Sequence, residues 1–217
     1  QLCKSRDNDE NIIDERAFPP SYYHSGYSPA KETGKWIQGI DYKEFDVLFI
    51  YGLGLAYAFE EIEGFLQKED KYLVFLEDEI GAIQVFLESH RARKVLSHPK
   101  VLIQYLGTSE KEADSICLKM VQYFVGLSFT CSALPFYERC KFNTFADLRK
   151  KFAHYGVLVG YGSRELLLHG DTYFQNFYKN WTSFKSVYET NGLVNKFKGV
   201  PAVICGAGPS ITSEASR

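Results

Sequence analysis

Two glycine corners in this chain each follow an apolar run and carry residue types suited to binding a nucleotide. The first is Gly52-Leu53-Gly54, after the run DVLFIY (Asp46–Tyr51) and before a helical pattern. Glycines at such a corner let a ligand approach the backbone at a helix N-terminus, and an acid ending the next strand can accept hydrogen bonds from a ribose. Glu77 is the acid so placed, somewhat farther along than the roughly 20 residues usual in dinucleotide sites. A third glycine is absent, with Ala56 and Tyr57 standing where one would be sought. The same residues therefore also fit a plain strand-to-helix turn followed by solvated acids. The second corner is Gly206-Ala207-Gly208-Pro209-Ser210, after AVIC. Small residues there leave backbone N–H groups and the Ser210 hydroxyl available to a phosphate, or make an ordinary turn. Neither a Gly-Xaa-Ser-Xaa-Gly elbow nor a lysine-bearing P-loop occurs, so no catalytic acid, base or nucleophile can be named. The five cysteines, Cys3, Cys117, Cys131, Cys140 and Cys205, form no CxxC pair and are odd in number, and the five histidines are scattered with no HExxH pattern. Reduced thiols and no metal are the expectation.

The first corner sits inside a βαβ pattern. Asp46–Tyr51 has the length and the β-branched and aromatic content of a strand buried on both faces. Leu55, Phe59, Ile62 and Leu66 recur at helical spacing, with Glu60, Glu61 and Glu63 toward water. Tyr72–Leu76 predicts the second strand, and Glu77, Asp78 and Glu79 mark its exit. A helix over Ile80–Leu87, a strand over Val101–Leu106, a helix from Glu110 to about Val125 and a strand over Ser128–Ala133 complete an alternation typical of an α/β fold: a Rossmann-like, mostly parallel sheet flanked by helices. Upstream, residues 1–20 are polar and end in a proline pair, which predicts a loosely held leader or an edge element. Ser28-Pro29 with Glu32 predicts a helix start, with Trp36 and Ile37 facing the sheet. Downstream, Phe145–His154 and Leu166–Tyr188 are helical in period, the latter interrupted near Gly170. Tyr173, Phe174, Phe177, Trp181, Phe184 and Tyr188 share one face, as core packing or as a groove for a ligand or partner. Val200–Cys205 predicts a new buried strand. The organisation expected is a leader (1–20), a Rossmann-like domain (21–135), a helical extension (136–192) and the start of a further domain (193–217).

Bulk properties exclude some classes. A net charge of −2 and a pI near 6.3 give no basic field for nucleic acid. The apolar runs fall short of the roughly 20 residues of a membrane span, and no signal segment opens the chain, so a cytoplasmic protein is expected. Met120 is the only methionine, so Gln1 reads as something other than a translation start. The arginine at 217 reads as a cut chain, an expectation that an intact mass of the starting protein tests.

Four stretches, HSGYSPAKETGKW (24–36), LFIYGLGLAY (48–57), LVFLEDE (73–79) and FKGVPAVICGAGPSI (197–211), resemble in order the motility accessory factor (Maf) family, bacterial glycosyltransferases whose central domain is MptE-like. The resemblance covers about residues 22–217. It implies an N-terminal Rossmann-like domain followed by a transferase domain that opens with GAGPS, a loop also similar to the nucleotide loop of bacterial sialyltransferases. By that likeness Gly206, Gly208, Pro209 and Ser210 would hold the cytidine nucleotide of a CMP-sugar donor, a nonulosonic sugar going to serine or threonine of a protein such as flagellin. The chain as given would then be inactive alone. The competing expectation is a stand-alone domain that binds S-adenosylmethionine or a nucleotide through Gly52, Gly54 and Glu77, in the manner of a methyltransferase.

Overall fold

The computed structural model describes residues 1–15, 19–186 and 190–202. Residues 1–167 and 168–217 form two compact units. In the first, strands β1 (Leu2–Lys4), β2 (Glu10–Asp14) and β3 (Ser21–Tyr22) make a small antiparallel sheet, followed by helix α1 (Pro29–Gln38). The chain then alternates: β4 (Val47–Tyr51), α2 (Tyr57–Leu66), β5 (Tyr72–Glu77), α3 (Ile80–Leu87), α4 (Ala92–Leu96), β6 (Val101–Tyr105), α5 (Glu110–Tyr123), β7 (Phe129–Ala133), α6 (Pro135–Cys140) and α7 (Phe142–Thr182). The four later strands form one all-parallel sheet in the order β6-β5-β4-β7. This is the expected α/β, Rossmann-like architecture. The strand order turns back between β4 and β7, where open sheets of this class usually take a ligand.

The central strands are continuous apolar runs because both faces are covered. Val47, Phe49 and Tyr51 of β4, with Val74 and Leu76 of β5, face a core built with α5, α6 and the start of α7. Leu48, Ile50, Leu73 and Phe75 face a second core with α1, α2, α3 and α4. Successive side chains of a strand point to opposite faces, so each strand feeds both cores in turn. From β4 through β7 the expected strand and helix limits hold to within about two residues, the ordinary spread at element ends, whereas the two helices expected over Phe145–His154 and Leu166–Tyr188 are one, α7.

Several expectations are corrected. Of the two readings of the N-terminal segment, a loose leader or an edge element, the loose leader fails for residues 1–15: β2 pairs with both β1 and β3, and Asn11 and Ile12 are buried. The Asn11 amide uses both of its ends, donating to the His24 and Ser25 carbonyls and accepting from the Ile12 and His24 N–H groups. The break at 135/136 also fails, since Phe136, Tyr137, Phe145, Leu148 and Phe152 complete the first core. Gly170 does not interrupt α7, which runs through it. Tyr173, Phe174, Phe177, Trp181 and Phe184 are exposed rather than core, and Tyr188 lies outside the described residues. Of the expected strand Val200–Cys205, Val200–Ala202 has no regular structure, and the remainder, with Gly206, Gly208, Pro209 and Ser210, lies outside the described residues.

Candidate functional site

The carboxyl edge of the parallel sheet gathers the acids and the glycine corner that the sequence singles out. β4 ends at Tyr51 and is followed by Gly52, whose N–H donates to the Leu76 carbonyl. The corner then takes left-handed backbone at Gly52 (φ 96°), Gly54 (φ 52°) and Ala56 (φ 55°). Alanine thus holds, at the third position, the conformation a glycine would adopt more readily.

The space above this corner is filled by the chain itself. A Cβ on Gly52 would lie 2.7 Å from the Tyr137 ring, and one on Gly54 would lie 2.5 Å from His24 Nε2. The glycines are required because α6 and the β3–α1 segment press onto them. We therefore expect Gly54→Ala, which drives a methyl into His24 and strains the backbone, to lower stability by roughly 2–4 kcal/mol. Urea unfolding of the variant measures it.

Glu77 closes the corner from below. Its side chain has no exposed surface. One carboxylate oxygen accepts the Leu53 N–H (2.9 Å). The other accepts the Asp78 N–H (3.0 Å), the Glu79 N–H (2.9 Å) and the Tyr137 hydroxyl (2.6 Å). Burial, helped by the Asp78 charge, pushes its pKa up, opposed by the Tyr137, Leu53 and Glu79 donors, and Tyr137 is pushed up by burial and by the adjacent carboxylate. An acid with four internal donors and no solvent contact cannot meet a ribose. The ligand-binding role expected of Gly52, Gly54 and Glu77 is therefore replaced by an internal staple joining the β4 and β5 corners to α6.

The neighbouring corner repeats the arrangement. After β6, Gly107 turns the chain into α5, and a single Glu112 carboxylate oxygen accepts from Thr108 N–H (2.9 Å) and Ser109 N–H (3.1 Å) while the Ser109 hydroxyl caps Glu112 N–H. This capping box fills the helix N-terminus that a phosphate would otherwise occupy.

Outside these corners, Asp78 and Glu79 form an ionic cluster with Lys141, at 2.7 and 2.6 Å, while Tyr51 and Tyr23 donate to the same acids at 2.7 and 2.8 Å. Burial alone would lower the Lys141 pKa, but the two carboxylates outweigh it and raise it. Two open cavities meet at Asp78. One, of about 630 Å³, is walled by Ile12, Tyr23, Glu79, Val85 and Tyr105, and the other, of about 390 Å³, by Ser109, Asn143, Asp147 and Lys151.

Three features had no signal in the sequence pattern. Tyr137 lies on, and Lys141 caps, a short helix with no motif of its own. His24 is buried, accepting the Leu55 N–H at its Nε2 (3.1 Å), which leaves the ring proton on Nδ1, where no partner is found among the described residues. Burial and then the Arg91 charge push its pKa down to about 3.

Among the described residues no group of His, Cys, Asp and Glu is arranged to hold a metal. Burial pushes the Cys117 and Cys131 thiols up to about 12, which removes them as nucleophiles near neutral pH. Among the described residues no helix is long and apolar enough to cross a membrane. Comparison with models of protein families, with curated proteins and with solved structures finds no match for this chain.

Proposed function

We propose that residues 1–167 act as a non-catalytic scaffold or substrate-positioning module of a Maf-like bacterial glycosyltransferase, one that moves a nonulosonic sugar from a CMP donor to protein serine or threonine such as that of flagellin. The non-catalytic part rests on one observation: the glycine corners at the carboxyl edge of the sheet are occupied by the chain's own groups. Glu77 and Glu112 take the corner amides a nucleotide would need, and Tyr137 and His24 cover Gly52 and Gly54. The glycosyltransferase part rests on the four stretches that resemble the Maf family. In that reading Gly206, Gly208, Pro209 and Ser210 hold the CMP-sugar, and the first glycine corner holds none.

Thermal melts of the 217-residue chain with S-adenosylmethionine, NAD and CMP, each in millimolar excess, test the proposal. A bound ligand raises the melting temperature by mass action. We expect no rise with S-adenosylmethionine or NAD. A rise of several degrees with either one would revive the methyltransferase-like or dinucleotide reading. Transfer of sugar from a CMP donor by this chain alone would overturn the assignment of a non-catalytic module.

A further inference from the structure

Helix α7 carries an aromatic ribbon in the second unit that nothing else among the described residues covers. Phe174 is 64% exposed, Phe177 56%, Tyr178 66%, Trp181 64% and Phe184, just past the helix end, 73%. At about 100° per residue the four helical positions fall within an arc of roughly 100°. The rings lie against one another, with centroids 5.8 Å apart for Phe177–Tyr178, 5.6 Å for Phe177–Trp181 and 6.4 Å for Trp181–Phe184. Their rotamers are thus mutually restrained before anything docks.

We infer that this ribbon is the contact between two copies of the chain, packed face to face about a two-fold axis. Area is the first reason. Five rings of about 200 Å² each, exposed to this degree, present on the order of 600 Å² per chain, the upper end of what soluble monomers leave in one apolar patch. Two such faces together bury on the order of 1,200 Å², the lower bound of a stable interface. Charge is the second. From Thr172 through Ser186 the charged side chains are Lys179, which helical spacing puts on the opposite side from the helical rings, and Lys185, past the helix end. The ring face itself carries no charge for a membrane headgroup, a nucleic acid or an acidic peptide to pair with, whereas a second ribbon meets the first without burying an ion. An isologous contact needs one patch that matches itself, and an uncharged ribbon of rings does so.

Analytical ultracentrifugation of the 217-residue chain is the test. The expected mass is twice 24.8 kDa at tens of micromolar, dissociating on dilution. Phe177→Glu and, separately, Trp181→Lys should give a single species of 24.8 kDa, with circular dichroism and melting temperature of the first unit unchanged. Lys179→Glu, on the far face, should leave the doubled mass intact. A wild-type chain that stays at the single mass throughout that range overturns the inference, and so does a double mass that survives both ring substitutions.

Discussion

Glu77→Ala is expected to unfold the first unit. The substitution leaves the N–H groups of Leu53, Asp78 and Glu79 and the Tyr137 hydroxyl without their acceptor, the Leu53 and Tyr137 donors buried and the Asp78 and Glu79 amides partly so. Each buried donor so orphaned costs about 1–3 kcal/mol, which sums to on the order of 5 kcal/mol or more. Whole domains are stable by only about 5–15 kcal/mol. Glu77→Gln should recover little, because its NH₂ group must face either the Leu53 N–H or the Tyr137, Asp78 and Glu79 donors. Far-UV circular dichroism with urea titration measures both variants. If Glu77→Ala melted within a degree or two of the parent, the carboxylate would be incidental and the fold would be held elsewhere.

A second large effect is expected on acidification, through His24. Its folded pKa of about 3 lies below the ordinary value near 6.5, so the unfolded chain binds the proton more readily. Folding stability from this group is fully present above about pH 6.5 and is lost as pH falls toward 3. By linkage, the loss between about pH 7 and about pH 4 is roughly 3 kcal/mol. Glu77 acts with the opposite sign: its raised pKa favours the folded state most strongly below the ordinary carboxylate range, and that share declines as pH rises. The useful quantity is therefore a difference. In His24→Gln the amide oxygen can still accept the Leu55 N–H but cannot titrate, and the contribution of Glu77 is common to both proteins. The stability gap between parent and variant should shift by roughly 3 kcal/mol in the variant's favour from about pH 7 to about pH 4. A gap that does not move with pH would mean that His24 is solvated enough to titrate normally.

How much of this was legible beforehand depends on the range of the interaction concerned. The runs DVLFIY and YLVFLE announce strands because burial on two faces demands unbroken apolar sequence. The period of Phe59, Ile62 and Leu66 likewise announces a helix that needs one covered face. The small sheet at residues 2–22 was hidden because its key buried side chain is Asn11, a residue that reads as surface until its four hydrogen bonds are seen. Glu77 looked like a ligand group for a similar reason. An acid at the end of a strand signals a ribose only when its lone pairs are unused, and the donor that completes its set, Tyr137, comes from a helix two strands later in the chain. The aromatic ribbon of α7 shows the limit of periodicity: spacing by three and four specifies that a face exists, and says nothing of whether this chain supplies the other side.

The staple at Glu77 also constrains when the fold can close. Its fourth donor is the Tyr137 hydroxyl, so on the ribosome the corner stays incomplete until α6 has cleared the exit tunnel, long after both flanking strands are made. Cutting the gene at residue 135, where the hydropathy pattern invites a boundary, would yield a nascent sheet that never seals, a substrate for chaperones and proteases. The shortest autonomous version of this domain extends at least through Phe152, whose ring closes over Phe49.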